Sequence, residues 1–87
     1  MIAVLENVRV MEKDIKLDKE GKQIYIFNCY QKGEKSLIPV KNVSEDLYLK
    51  VNEEDKISIK VNLMAWGQNG NYGLAVRFVD VVSLHKK

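Results

Sequence analysis

A two-residue turn in the last third of the chain fixes how its flanking segments must pair. Asn69-Gly70 separates an alternating segment, 56–66, from a second apolar segment, 74–82. Asn-Gly is the strongest short-range signal for a β-hairpin, because a type I′ turn needs positive φ at both central residues. Centring the turn there predicts one apolar face, on which Ala65 faces Leu74, Leu63 faces Val76 and Val61 faces Phe78.

The opposite face of this hairpin carries an unusual set of side chains. Because side chains alternate along a strand, the same register places on that face Lys60, Asn62, Met64, Trp66, Ala75 and Arg77. Trp66 lies opposite Gly73, where a ring can cover exposed backbone. Such a mixture favours a binding surface, with Trp66 and the loop-tip residue Tyr72 as stacking candidates. Packing of Trp66 on a loop or a dimer partner is an equal alternative.

The charge of the chain is unevenly distributed, although the formal net charge is only +2. Residues 21–41 hold four lysines against one glutamate, and residues 56–79 hold three cations and no acid. Residues 42–55 hold five acids against one lysine. This division can steer a polyanion toward one face. A solvated surface without a binding role is the alternative.

Length and cysteine content limit the class of protein. With 87 residues, we expect a single domain over 1–87 that buries only about 60 to 65% of its unfolded surface, and therefore a homodimer. One cysteine and one histidine leave no disulfide and no ligand set for zinc, so we expect no metal, no cofactor and a reducing, cytoplasmic compartment. No apolar run approaches the ~18 residues of a membrane helix, and the start lacks signal-peptide features.

The order of predicted elements indicates a small all-β barrel. The pattern predicts strands over 2–12, 23–30 and 36–41, a polar connection over 13–22, a helix over 45–50 capped by Ser44, and then the hairpin. Three strands, a short helix and two strands is the order of the OB-fold. That fold is a five-stranded, partly open barrel whose strand 2–3 face and loops 1–2 and 4–5 bind oligonucleotides or oligosaccharides. An SH3-like barrel is the alternative, although its helical turn normally precedes the last strand.

The hairpin from Val61 to Leu74, with its glycine-rich tip Gly67-Gln68-Asn69-Gly70-Asn71-Tyr72-Gly73, supports a family resemblance. In this hairpin, in length and in strand order, the chain resembles the small OB-fold single-stranded-DNA-binding proteins of filamentous phages and mobile genetic elements. The resemblance covers most of the chain. It implies a homodimer that coats single strands cooperatively without strong sequence preference, and a partner DNA exposed during replication or transfer.

Single-strand binding needs cations for phosphates and rings on which bases stack. On the hairpin, Lys60 and Arg77 supply cations close together. Strand 23–30 leaves two alternatives for the rings. If its isoleucines fill the barrel, Tyr25 and Phe27 lie on the ligand-binding face, whereas if Phe27 and Cys29 fill it, that face carries Asn28 and Tyr30. Under either alternative the strand is flanked by Lys22, Lys32 and Lys35.

Catalysis is not expected, because the sequence contains no nucleophile–base pair, phosphate-binding glycine loop or EF-hand spacing. The favoured interpretation is a non-enzymatic, sequence-tolerant single-stranded-DNA-binding protein. One alternative is a protein-interaction or assembly module in which Trp66, Met64 and Val79 form the interface. Another is an oligosaccharide-binding barrel that uses Trp66 and Tyr72.

Overall fold

Five strands close into a barrel in the computed structural model, which describes residues 1–85 and their side chains apart from those of Trp66, Gln68 and Tyr72. The elements are β1 (Ile2–Leu17), β2 (Gln23–Tyr30), β3 (Ile38–Val43), α1 (Glu45–Lys50), β4 (Lys56–Gln68) and β5 (Asn71–His85). The strand order is β1-β2-β3-β5-β4, with β4 returning to β1. Only the β3–β5 pair is parallel among the described strands. The predicted five-stranded, OB-like barrel with its helix between the third and fourth strands is confirmed.

The β4–β5 hairpin has the predicted register. Asn69 and Gly70 both have positive φ, 52° and 81°, as a type I′ turn requires. Leu63 pairs with Val76 and Val61 with Phe78. The apolar face of the hairpin is buried at the barrel, where Val61 is fully buried, and emerges toward the tip, where Leu74 is 59% exposed.

β1 changes the face that it buries at Glu6-Asn7, where the apolar alternation of the strand is interrupted. Ala3 and Leu5 pack against the core from one parity, and Val8 and Val10 from the other. The change occurs at a β-bulge between Leu5 and Val8. Asn7 adopts a φ of 51° there, and its backbone N–H donates to Ser58 Oγ at 2.9 Å. The bulge bends β1 so that it pairs first with β4 and then with β2.

The predicted polar connection over 13–22 is wrong, because β1 continues to Leu17 and only 18–22 turns the chain. In that turn the Asp18 carboxylate accepts hydrogen bonds from the backbone N–H groups of Glu20 and Lys22, at 2.9 and 2.8 Å. The strand includes a lysine that faces the core side, Lys13, whose Nζ donates to the Val51 carbonyl at 2.8 Å. The third strand is also displaced, to 38–43 from the expected 36–41.

Helix α1 packs against the barrel core and matches its predicted bounds. Ser44 is its N-cap, and Ser44 Oγ accepts a hydrogen bond from the Leu47 N–H at 3.4 Å. Leu47 and Val51 are buried in the core. The Tyr48 ring stacks on Phe27, with centroids 5.9 Å apart. Within residues 1–85, no helix is long and apolar enough to cross a bilayer.

Candidate nucleic-acid interface

The inward and outward faces of β2 are decided by Phe27 and Cys29, which are fully buried in the core. The stacking role predicted for Phe27 is therefore wrong, because a buried ring offers no face to a base. Tyr25 has the same parity as Phe27 and Cys29 and is half-buried. Its ring centroid lies 4.7 Å from that of Tyr48. The other parity carries Ile26, which is only 3% exposed, and then Asn28, which is half-buried, and Tyr30, which is 42% exposed, so this parity faces outward only over the second half of β2. Of the two open alternatives, the structure selects the second.

An open cleft of about 580 Å³ lies beside the Tyr30 ring. It is lined by Glu6, Asn7, Arg9, Tyr30, Gln31, Lys32 and Lys56. These residues comprise three cations, one acid, one aromatic ring and two amides, and the three cations are all exposed. The cleft brings together two predicted site residues, Tyr30 and Lys32, with two residues that the sequence analysis did not select, Arg9 and Lys56.

Arg9 is directed into the cleft by its neighbours on β1. Val8 and Val10 are fully buried, so alternation along the strand turns Arg9 outward. Arg9 is paired with Tyr30 of β2 on one side and with Lys56 of β4 on the other. Adjacent strands lie about 4.8 Å apart, and directly paired residues project to the same face. The three side chains therefore form one row across three strands.

Lys56 is held beside Arg9 by the turn that precedes β4. The Asp55 carboxylate accepts a hydrogen bond from the Asn52 N–H at 2.9 Å, which closes the turn. The Asp55 carbonyl accepts from the Val10 N–H at 2.9 Å, and the Glu54 N–H donates to the Val10 carbonyl at 2.6 Å. The start of β4 is thus fixed to the segment of β1 that carries Arg9.

Lys32 reaches the cleft from the loop between β2 and β3. The Glu34 N–H donates to the Gln31 carbonyl at 3.0 Å, which closes a four-residue turn. Gly33 occupies the third position with a φ of 94°, the positive value that a type II turn requires there. Lys35 follows the turn and is exposed. The loop therefore places one lysine in the cleft and a second one close by in the chain.

Lys22 is separated from this cleft. It belongs to the turn at the opposite end of β2. Eight extended residues of this strand place it about 26 Å from Tyr30. Its Nζ lies 3.9 Å from the Glu20 carboxylate, and both side chains are largely exposed. The structure does not bring Lys22 together with Tyr30.

The hairpin residues Lys60 and Arg77 do not pair with each other, because each is opposite another residue. β5 contains a bulge between its pairs with Lys60 and Val61, so Lys60 is opposite Asp80. Asp80 lies just beyond the acid-free segment 56–79, so the charge pattern of that segment does not reveal this pairing. Arg77 is paired with Asn62 on β4 and Lys41 on β3.

The remaining predicted residues of the hairpin lie near its tip or on β4. Asn62 is half-buried, and its Oδ1 accepts a hydrogen bond from the amino group of Met1 at 3.0 Å. The backbone of Trp66 pairs with Gly73 and that of Tyr72 with Gly67. The side chains of Trp66 and Tyr72 lie outside the described part of the structure. Their stacking roles remain predictions.

Cys29 is not a candidate nucleophile. Burial raises the pKa of its thiol from 9.0 to about 12, so it remains protonated at neutral pH. Among residues 1–85, no group of three or more His, Cys, Asp or Glu side chains is placed to hold a metal ion.

Family models, curated proteins and solved structures were each compared with the chain, and none matches. The case for a function therefore rests on the geometry of the cleft.

Proposed function

We propose that this protein is a non-enzymatic, sequence-tolerant single-stranded-DNA-binding protein, and that the strand binds in the cleft beside Tyr30. One observation carries this proposal. An exposed aromatic ring shares an open cleft with three exposed cations, Arg9, Lys32 and Lys56. Stacking of a base on an aromatic ring contributes about 1–3 kcal/mol, and each phosphate contact adds salt-sensitive affinity. Neither interaction reads sequence.

The cleft differs in position from the strand 2–3 face on which an OB-fold binds its ligand. It is formed by β1, the end of β2, the β2–β3 loop and the start of β4. Arg9 can contact phosphate in bidentate fashion or stack on a base, whereas Lys32 and Lys56 act as point charges on flexible stems. Glu6 is the single acid among the lining residues. Its carboxylate repels phosphates from its own part of the cleft.

The proposal also includes a cellular role and a compartment. The resemblance supports a role in coating DNA exposed during replication or transfer of a phage or mobile element. A single buried thiol, Cys29, is consistent with a reducing cytoplasm.

The test is a fluorescence-anisotropy titration of a labelled oligothymidylate at several salt concentrations, with a matched RNA oligomer in parallel. In the double variant Arg9→Gln, Lys56→Gln, the slope of log affinity against log salt should fall by about 1.4, at about 0.7 per lost phosphate contact. The control is Lys41→Gln, Arg77→Gln, which removes two paired cations outside the cleft lining.

The two double variants separate the cleft from the hairpin. If the slope falls in the control and not in the cleft variant, the strand binds on the hairpin face that the sequence analysis selected. If the wild-type protein binds neither DNA nor RNA at low salt, the proposed function is wrong. RNA bound more tightly than DNA would retain the cleft and change the ligand.

A second candidate function, a protein-interaction module, is favoured by an exposed apolar strip on β5. Val79, Val81 and Val82 are 46%, 39% and 56% exposed. Such a strip suits an interface with another protein or with a second copy of this chain, and the homodimer remains a prediction. Sedimentation at tens of micromolar tests it, because a species of only about 10 kDa would exclude the dimer. Substituting Val79→Lys should dissociate a dimer that uses this strip, whereas the equally exposed Val4→Lys should not, since both valines are 46% exposed.

A further inference from the structure

The row of outward side chains that contains Arg9 continues across a fourth strand. Tyr30 pairs with Arg9, Arg9 with Lys56, and Lys56 with His85 of β5. His85 is exposed, and the residue before it, Leu84, packs against the core. The row therefore runs from β2 over β1 and β4 to β5, perpendicular to the strands, and it passes beyond the cleft itself.

The length of this row sets a footprint. Three strand spacings of about 4.8 Å give a span of about 14 Å. A nucleic acid strand with B-form stacking advances about 3.4 Å per phosphate, so the row spans about four nucleotides. This value is at the lower end of the about 4–16 nucleotides that a single OB-fold covers.

On the basis of the proposed function, we propose that the bound strand crosses the barrel along this row, from Tyr30 to His85, with a footprint of about four nucleotides. A base stacks on Tyr30 at one end, Arg9 and Lys56 contact the intervening phosphates, and His85 is a further binding residue at the other end. Its imidazole, whose Nε2 lies 3.5 Å from Ser83 Oγ, offers a flat face for a base and its other ring nitrogen, Nδ1, for a hydrogen bond to a phosphate oxygen.

A competing path runs along β4 instead of across it, from Lys56 through Lys60 toward the hairpin tip. The two paths differ at Lys60. This residue is four positions after Lys56, on the same outward face, but it is opposite Asp80 and outside the row. Since the Asp80 carboxylate repels phosphate, the transverse path is favoured. Lys60 is accordingly the matched control for Lys56.

The first experiment measures the affinity of oligothymidylates of two to twelve nucleotides at one salt concentration, with stoichiometry determined for each. Affinity per site should rise steeply up to about four nucleotides and change little beyond that length. A steep rise that continues past about eight nucleotides at one oligomer per protomer would overturn the transverse row, because the row has no further contacts to offer.

The second experiment compares three single variants on a dinucleotide and a hexanucleotide. Lys56→Gln should lower the salt slope on the hexanucleotide by about 0.7, and Lys60→Gln should not change it. His85→Ala should weaken the hexanucleotide and leave the dinucleotide unaffected, because a dinucleotide bound at Tyr30 does not reach β5. An equal loss on both oligomers, or a larger loss for Lys60→Gln than for Lys56→Gln, would overturn the path. If wild type binds oligonucleotides and these contrasts are absent, the path is wrong and the proposed function stands, whereas no binding by wild type removes both.

Discussion

Two aromatic residues of β2 lie three positions apart, and truncation should affect mainly stability at one and mainly binding at the other. Phe27 is fully buried and stacks on Tyr48, whereas Tyr30 is 42% exposed beside the cleft. We predict that Phe27→Ala lowers the free energy of unfolding by about 3–5 kcal/mol, because it leaves a cavity in the core. Tyr30→Ala should instead weaken single-strand binding by about 1–3 kcal/mol, through loss of a stacking surface.

The magnitudes separate the two variants clearly. In a domain of about this size, 1 kcal/mol shifts the Tm by about 4–8 °C, so Phe27→Ala should lower the Tm by at least about 12 °C. Complete burial of a large apolar side chain contributes about 1.5–3 kcal/mol. With 42% of Tyr30 exposed, its truncation should cost only about 1–2 kcal/mol of stability.

The assays are thermal and urea denaturation for stability and anisotropy titration for binding. Phe27→Leu serves as the folded control, because it retains most of the core volume, and its affinity for oligonucleotides should equal that of wild type. A loss of affinity in folded Phe27→Leu, together with unchanged affinity in Tyr30→Ala, would show that the faces of β2 are assigned wrongly.

Three further predictions concern the acidic residue of the cleft, the N-cap of helix α1 and the buried cysteine. Glu6→Gln removes the cleft's acid and should raise single-strand affinity by up to about fivefold, since an exposed charge contributes about 0.2–1 kcal/mol; Glu12→Gln on the same strand is the control in that titration. Ser44→Ala removes the helix cap and should lower the unfolding free energy by about 1 kcal/mol in urea without changing oligonucleotide affinity, whereas Ser44→Asp should not. Because burial raises the Cys29 pKa from 9.0 to about 12 in the folded state, the thiol's stabilising contribution is complete below about pH 9 and is lost toward pH 12. Urea midpoints measured across that range should fall more in wild type than in Cys29→Ala.

Local signals in the sequence predict most of the fold. Asn69-Gly70 defines the hairpin because a type I′ turn has few compatible residue pairs, and Ser44 defines the helix start because a cap needs a short side-chain acceptor. The end of β1 could not be predicted in the same way. Lys13 faces the core side of its strand, where its Nζ lies over the Tyr48 ring, 4.4 Å from the ring centroid. A lysine in that position breaks the apolar alternation from which strands are recognised.

The cleft was harder to predict than the fold, because its residues come from distant parts of the chain. The alternation Val8-Arg9-Val10 could have shown that Arg9 points outward. No turn in the sequence aligns Arg9 with Lys56, however, since β1 and β4 are joined through two other strands and a helix. Only the three-dimensional register brings Arg9 next to both Tyr30 and Lys56.

The bulge at Glu6-Asn7 has a consequence for how the length of β1 can vary. Leu5 pairs with Ile59 and Val8 with Ile57, so β1 holds one residue more than β4 between these pairs. Deleting Asn7 would restore regular alternation and leave the inward-facing residues on both sides of the bulge in place. Deleting Val8 would instead remove a core side chain. A scan of single-residue deletions along β1 should therefore yield folded protein at Asn7 and unfolded protein at Val8, and evolutionary gain or loss of a residue in this strand would be tolerated at the bulge.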